Sequence, residues 1–268
     1  MSVQAAATAL VIALLGAGVI LWWRLVLSPT ARANRPAPCV AEWPIPVAEF
    51  LRFLLCVICG TVLGGILGGL ALKLRPLGPD AKMIFLTACS QAGWIAGLAV
   101  FKLGVERVPL STLAVGRRDL RDGAALFLLA LPLALIAGLA WHGVLHACGL
   151  PVEKQDLIGL FQRVRAPVWL TLLVVCGAVL APVAEELVFR AGIFRFLRTR
   201  VPRWGAYALS ACVFAGLHLN LASFAGLVAL GVVFSAGYER TGRIATAIVA
   251  HGLFNLLAVI EVLAGIGG

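Results

Sequence analysis

The stretch LAPVAEELVFRAG, residues 180–192, places two adjacent glutamates, Glu185 and Glu186, and an arginine, Arg190, at the end of a run otherwise fit for lipid. The residues before them, PVWLTLLVVCGAVLAPVA, carry no charge. A bilayer core takes about 20 apolar residues per helix, so this run predicts a membrane span. Ionisable groups inside such a span are costly and are functional-site candidates by default.

The rest of the chain has the same character. Of 268 residues, 62% are hydrophobic and only 13% charged, against about a quarter charged in soluble domains. There is too little polar surface to cover a water-facing core, so the expected fold class is all-α, a polytopic membrane protein. The net charge of +10 does not read as a nucleic-acid surface. The arginines punctuate apolar blocks, as expected where charge sets membrane orientation. The N-terminal run ends in an interfacial WWR, has no basic leader and is longer than a signal core, so it reads as a retained first span. Seven scattered cysteines, including Cys56 and Cys59 in CVIC, lie mostly within apolar runs and read as buried thiols.

Hydropathy places about eight spans, near 4–23, 50–72, 83–101, 123–148, 168–186, 204–220, 222–238 and 244–265, with an intramembrane polar cavity. SPTARANRPAP (28–38) reads as a loop, and residues 105–123 as a surface-lying segment entering the fourth span. With the N-terminus outside, sixteen Lys and Arg fall in inside segments and six outside. The positive-inside rule therefore puts both termini outside.

Three polar places stand within the predicted spans: Glu185, Glu186 and Arg190; His218 in FAGLHLN; and His251 with Asn255, one turn apart, in AHGLFN. Measured from the inner arginines at a helical rise per residue, Glu185 lies about 15 Å deep, His218 about 22 Å and His251 about 12 Å. Helix tilt brings these depths to one cavity. His142 and His146 lie about 30 Å along the fourth span, at the far interface, and lack the glutamate of an HExxH site; they read as structural. Each member of the main group also has a plain reading alone: an ion pair of Glu186 and Arg190, a bond from His218 to a neighbouring helix carbonyl, or interhelical glue by Asn255. Their coincidence in depth on three spans favours a site.

Adjacent helical residues point about 100° apart, so Glu185 and Glu186 cannot share one task. Arg190 is four residues from Glu186, the favourable acid-first spacing. Glu186 is then an anchor, and Glu185 the unpaired carboxylate free to act as general base.

EELVFR (185–190), FAGLH (214–218) and HGLFN (251–255) resemble, in order and spacing, the EExxxR, FxxxH and HxxxN motifs of the CPBP intramembrane proteases. That family includes the CAAX prenyl endopeptidases of the Rce1 type and the bacterial Abi relatives. The likeness covers roughly residues 110–265 and divides the chain into N-terminal helices without a matched motif (1–105) and a protease-like core (106–268). It implies an intramembrane endopeptidase acting on peptide or membrane-protein substrates in a lipid bilayer, most simply a bacterial cytoplasmic membrane. Carried over residue by residue, the resemblance makes Glu185, Glu186, Arg190, His218, His251 and Asn255 catalytic and Phe214 substrate-binding. A glutamate and a histidine would activate water, and the second histidine and the asparagine would steady the oxyanion. It leaves open whether the family's chemistry uses zinc, held here by Glu185 or Glu186 with His218 and His251, or no metal. The rival reading is a non-catalytic immunity or scaffold protein, or a small transporter, on the same fold.

Overall fold

A computed structural model describes residues 2–34, 37–106, 114–152 and 156–266. Among them there is no strand; every regular element is helical. In chain order these are α1 (Val3–Trp22), α2 (Pro29–Ala33), α3 (Val47–Leu74), α4 (Pro79–Val100), α5 (Arg117–Ala147), α6 (Asp156–Arg163), α7 (Pro167–Val175), α8 (Ala181–Val188), α9 (Arg195–Arg198), α10 (Arg203–Gly216), α11 (Phe224–Thr241) and α12 (Ile244–Leu263).

Among the described residues six helical runs are long and apolar enough to cross a membrane: Val3–Leu27, Val47–Leu74, Pro79–Gly104, Arg117–Ala147, Pro167–Arg198 and Ile244–Leu263. The chain is an integral membrane protein. The two remaining expected spans are the hairpin α10–α11, whose helices have 14 and 18 residues. Glu239 and Arg240 near the end of α11 lower its apolarity.

Two boundaries differ from expectation. The segment 28–38 is not all loop: Ser28 caps α2, its hydroxyl accepting from the Ala31 N–H at 3.1 Å, and Pro29 supplies a preset first helical residue. The fifth span does not stop at 186 but runs to Arg198, because Leu187, Val188, Phe189, Ile193, Phe194 and Phe196 go on packing into the core. Of the expected surface segment 105–123, residues 107–113 lie outside the described residues, and from Arg117 it is already α5.

The fifth span is also not one regular helix. Five-residue and six-residue π-helical turns, Cys176–Leu180 and Phe189–Phe194, flank α8. Pro182 explains the first. Its ring would clash with the carbonyl four residues back, and it has no N–H to donate; a widened turn relieves the clash. The Ala181 N–H bonds the Cys176 carbonyl, so Pro182 stands where the next such bond, to the Gly177 carbonyl, would need a donor.

α3 and α4 form a tight glycine-lined hairpin. A Cβ on Gly60 would collide with the Gly93 carbonyl oxygen, and one on Gly64 with that of Cys89. Gly64→Val is therefore expected to cost about 1–3 kcal/mol by overpacking, read as a lower unfolding midpoint in detergent. Gly69→Val, where a side chain meets open space, should change little.

At the arginine-rich end, Glu239 is fully buried and accepts from Arg198 Nε at 2.6 Å, Arg203 Nε at 2.9 Å and the Tyr207 hydroxyl at 2.5 Å. Its backbone carbonyl accepts from Cys39 and Val40. Arg195 donates to the Ala41 and Glu42 carbonyls, and Arg200 to that of Ile45. The extended segment before α3 is thus strapped across this end of the bundle. At the opposite end Trp141 Nε1 donates to the Leu221 carbonyl at 2.7 Å and His142 Nε2 to that of Ala222 at 3.1 Å. His142 anchors the α10–α11 turn, in line with its structural reading. All seven cysteines are free thiols, but only Cys176 is buried within the protein as expected; Cys39, Cys59, Cys148 and Cys212 lie on its surface, those in the spans because apolar runs that face lipid bury their side chains in the bilayer rather than in the bundle.

Candidate active site

Three elements place the polar side chains. α8 carries Glu185 and Glu186, and the π-turn after it carries Arg190. The end of α10 presents Phe214 and, just past its last residue, His218. The middle of α12 presents His251 and Asn255.

Glu186 is 0% exposed and Arg190 1%. Arg190 Nη1 donates to Glu186 Oε1 at 2.9 Å, the expected i, i+4 pair. The guanidinium also lies 4.3 Å from the centroid of the Phe214 ring and 5.5 Å from that of Phe234, contacts that help to hold a desolvated cation. The same Glu186 Oε1 accepts from His251 Nδ1 at 2.7 Å. A carboxylate oxygen only accepts here, so the proton sits on Nδ1 and the ring is turned to present Nε2. Glu186 therefore orients His251 as well as pairing Arg190.

Glu185 stands apart. Its side chain is 18% exposed. Its Oε2 has no hydrogen-bond partner among the described residues, and it lies 3.7 Å from His251 Nε2. That distance is too long for a direct bond.

His218 Nδ1 lies 2.8 Å from the Phe214 carbonyl. A carbonyl cannot donate, so this nitrogen carries the proton and Nε2 keeps a lone pair. Phe214 is 1% exposed, its ring centroid 4.8 Å from that of His218 and 5.9 Å from that of His251. Expected as a substrate contact, it packs against the two histidines and the Arg190 guanidinium.

Asn255 Nδ2 donates to the Gly177 carbonyl at 2.8 Å. This is the carbonyl that Pro182 leaves without a backbone donor. One amide hydrogen of Asn255 is thus committed to joining α12 to the fifth span, and the other remains available. The sequence reading placed Asn255 on the His251 face and named an interhelical bond as its plain reading; it did not identify the Gly177 carbonyl as the partner, for which Pro182, four residues before Glu186, was the available signal.

Among the described residues no three His, Cys, Asp or Glu side chains are grouped closely enough to hold a metal ion. The zinc set of Glu185, His218 and His251 does not converge in this arrangement, and Glu186 already has two partners on one oxygen.

Residues 167–257 match the family model of type II CAAX prenyl endopeptidase Rce1-like proteins, the segment that contains all three polar places. The chain is 28% identical over 173 residues to the "Putative membrane peptidase YdiL" of Bacillus subtilis (strain 168), covering 64% of this chain and 70% of that one. It is 33% identical over 110 residues to the "UPF0177 protein YbdI" of Lactococcus lactis subsp. lactis (strain IL1403), covering 41% of this chain and 58% of that one. No solved structure matches the chain at a comparable level.

Proposed function

We propose that this chain, a CPBP-family protein by its Rce1-like segment, is an intramembrane endopeptidase that hydrolyses peptide bonds of membrane-associated or peptide substrates with water activated by Glu185. The observation that carries this reading is the division of labour between the glutamates. Glu186 is fully buried and bonded to both Arg190 and His251, while Glu185 offers an unpartnered oxygen facing the His251 ring.

Hydrolysis at depth needs a polar pocket in which water is held and its proton accepted. Glu185 takes the proton as the water attacks the scissile carbonyl. His218, with its proton fixed on Nδ1 by the Phe214 carbonyl, presents Nε2 as an acceptor that orients this water. His251, steered by Glu186, donates from Nε2 in its charged form to the developing oxyanion, and the free amide hydrogen of Asn255 adds a second donor. Such donors contribute about 3–4 kcal/mol each in a water-poor site. The proton on Glu185 passes to the leaving amine.

Cells expressing the active protein should differ from cells expressing Glu185→Ala, at equal membrane levels, in peptides recovered from membrane and medium by mass spectrometry. Identical peptide profiles together with full phenotypic rescue by Glu185→Ala would replace the protease with a scaffold.

No step above passes through zinc. Activity is expected to survive metal depletion verified by elemental analysis; loss on depletion and return with zinc would restore the metal version. We place the protein in a bacterial cytoplasmic membrane with both termini outside, on the Lys and Arg distribution. In a background lacking the native cysteines, Arg200→Cys should be labelled by an impermeant thiol reagent only after the cells are opened. Labelling of intact cells would invert the topology.

A further inference from the structure

Buried polar groups without partners are few in folded proteins, and each costs about 1–3 kcal/mol. In this protein several are found at the proposed site, on Glu185, Glu186 and Arg190. Two more lie on α4, outside every recognised motif: the indole Nε1 of Trp94 and the side-chain Oε1 of Gln91. Both are shielded from solvent and neither has a hydrogen-bond partner among the described residues.

The packing sets α4 against the segment that carries Glu185. Ile84 of α4 shares one apolar cluster with Leu173 of α7. Leu98 of α4, with Phe101 just beyond it, shares another with Val188 and Phe189. The two segments therefore run in the same direction and in step. Trp94 lies ten residues beyond Ile84, about 15 Å. The same distance beyond Leu173 reaches residue 183, two residues or about 3 Å short of Glu185; both side chains lean toward the N-termini of parallel helices, so this small offset is kept. The faces agree too. Glu185, Val188 and Phe189 share one face at i, i+3 and i+4, and the last two are in the cluster with α4. Gln91, Trp94, Leu98 and Phe101 share one face at i, i+3, i+7 and i+10.

We infer that Trp94 and Gln91 bind the backbone of the substrate peptide beside Glu185, the Trp94 N–H donating to a peptide carbonyl and the Gln91 side-chain oxygen accepting from a peptide N–H. An indole N–H only donates and an amide oxygen only accepts. Their side chains, one helical turn apart, offer a donor and an acceptor about 5–6 Å apart at Cβ. The partner this chemistry fits is an extended segment, whose backbone groups are otherwise left bare in a water-poor cavity. The inference rests on the peptidase reading and extends it: a helix from the half of the chain without a motif supplies part of the substrate site.

The test uses the full-length protein in detergent with fluorescein-labelled casein as an unstructured polypeptide probe. Trp94→Phe keeps the ring and removes the N–H. It is expected to lower kcat/KM about ten- to hundredfold while leaving the unfolding midpoint equal to or above that of the wild type, since an unpartnered buried donor is gone. Gln91→Leu should follow the same pattern. A merely structural tryptophan would lose stability along with activity. Unchanged kcat/KM, or a lowered midpoint in Trp94→Phe, overturns the inference. Failure of the peptidase reading looks different: wild type and Glu185→Gln would then release the same fragments, or none. Binding decides in that case. In protein labelled with 15N at tryptophan, the indole resonance absent from Trp94→Phe should shift when unlabelled casein is added to Glu185→Gln. A resonance that stays put overturns the inference.

Discussion

Glu185→Gln is expected to lower turnover on the order of a thousandfold and to leave protein level and unfolding midpoint at their wild-type values. The substitution is nearly isosteric and removes only the ability to accept a proton. Glu185 Oε2 makes no hydrogen bond within the described residues, so no internal bond is broken when oxygen becomes amide. The side chain as a whole keeps 18% exposure, so the new amide is not fully buried. His251 keeps its orientation, because that is set through Nδ1 by Glu186. Purified wild type and variant are compared in a single-turnover assay on the same peptide, with thermal unfolding run in parallel. A stable Glu185→Gln protein with wild-type turnover would show that another group takes the proton.

The separation of the two glutamates could be read from the sequence because it depends only on local geometry. Arg190 sits one turn from Glu186, and a helix leaves little choice about which acid it meets. The long uncharged runs marked the spans in the same local way, but His218, expected to bond a neighbouring helix carbonyl, bonds that of Phe214 in its own helix. The contacts that couple the motifs could not be read in this way. The bond from His251 to Glu186 joins residues 65 apart in sequence, and the Asn255 bond to Gly177 joins residues 78 apart; periodicity carries no information on either. The π-turns around α8 were also missed. A helix broken at Pro182 and one widened there have the same apolar pattern, and only packing against α12, where Gly252 lies close to the Ala178 carbonyl, selects the second. Gln91 and Trp94 escaped because a single Gln or Trp in a span is unremarkable until the facing helix is known.

Glu186→Gln and Arg190→Met, made singly, are expected to be among the most destabilising substitutions in the molecule, at about 3–5 kcal/mol each. The two side chains are 0% and 1% exposed, and Arg190 donates to no acceptor other than Glu186 among the described residues. Removing the carboxylate charge leaves a guanidinium buried against Phe214 and Phe234 without its counter-ion. Removing the guanidinium leaves a buried carboxylate held only by His251. A combined Glu186→Leu, Arg190→Met protein separates stability from catalysis. With both charges gone, the desolvation penalty disappears and apolar side chains fill the space, so much of the lost stability should return. Activity should not return with it. His251 Nδ1 would have no acceptor, its ring would no longer be turned to present Nε2, and loss of such an orienting partner typically costs about 10- to 100-fold. The measurement is a double-mutant cycle of unfolding midpoints, closed with Glu186→Leu as the matching single variant, beside the turnover of whatever fraction stays folded. If stability and turnover recovered together, the pair would be a structural clamp alone. If the double variant were as unstable as the singles, the burial of this charge pair would not be what makes each partner indispensable.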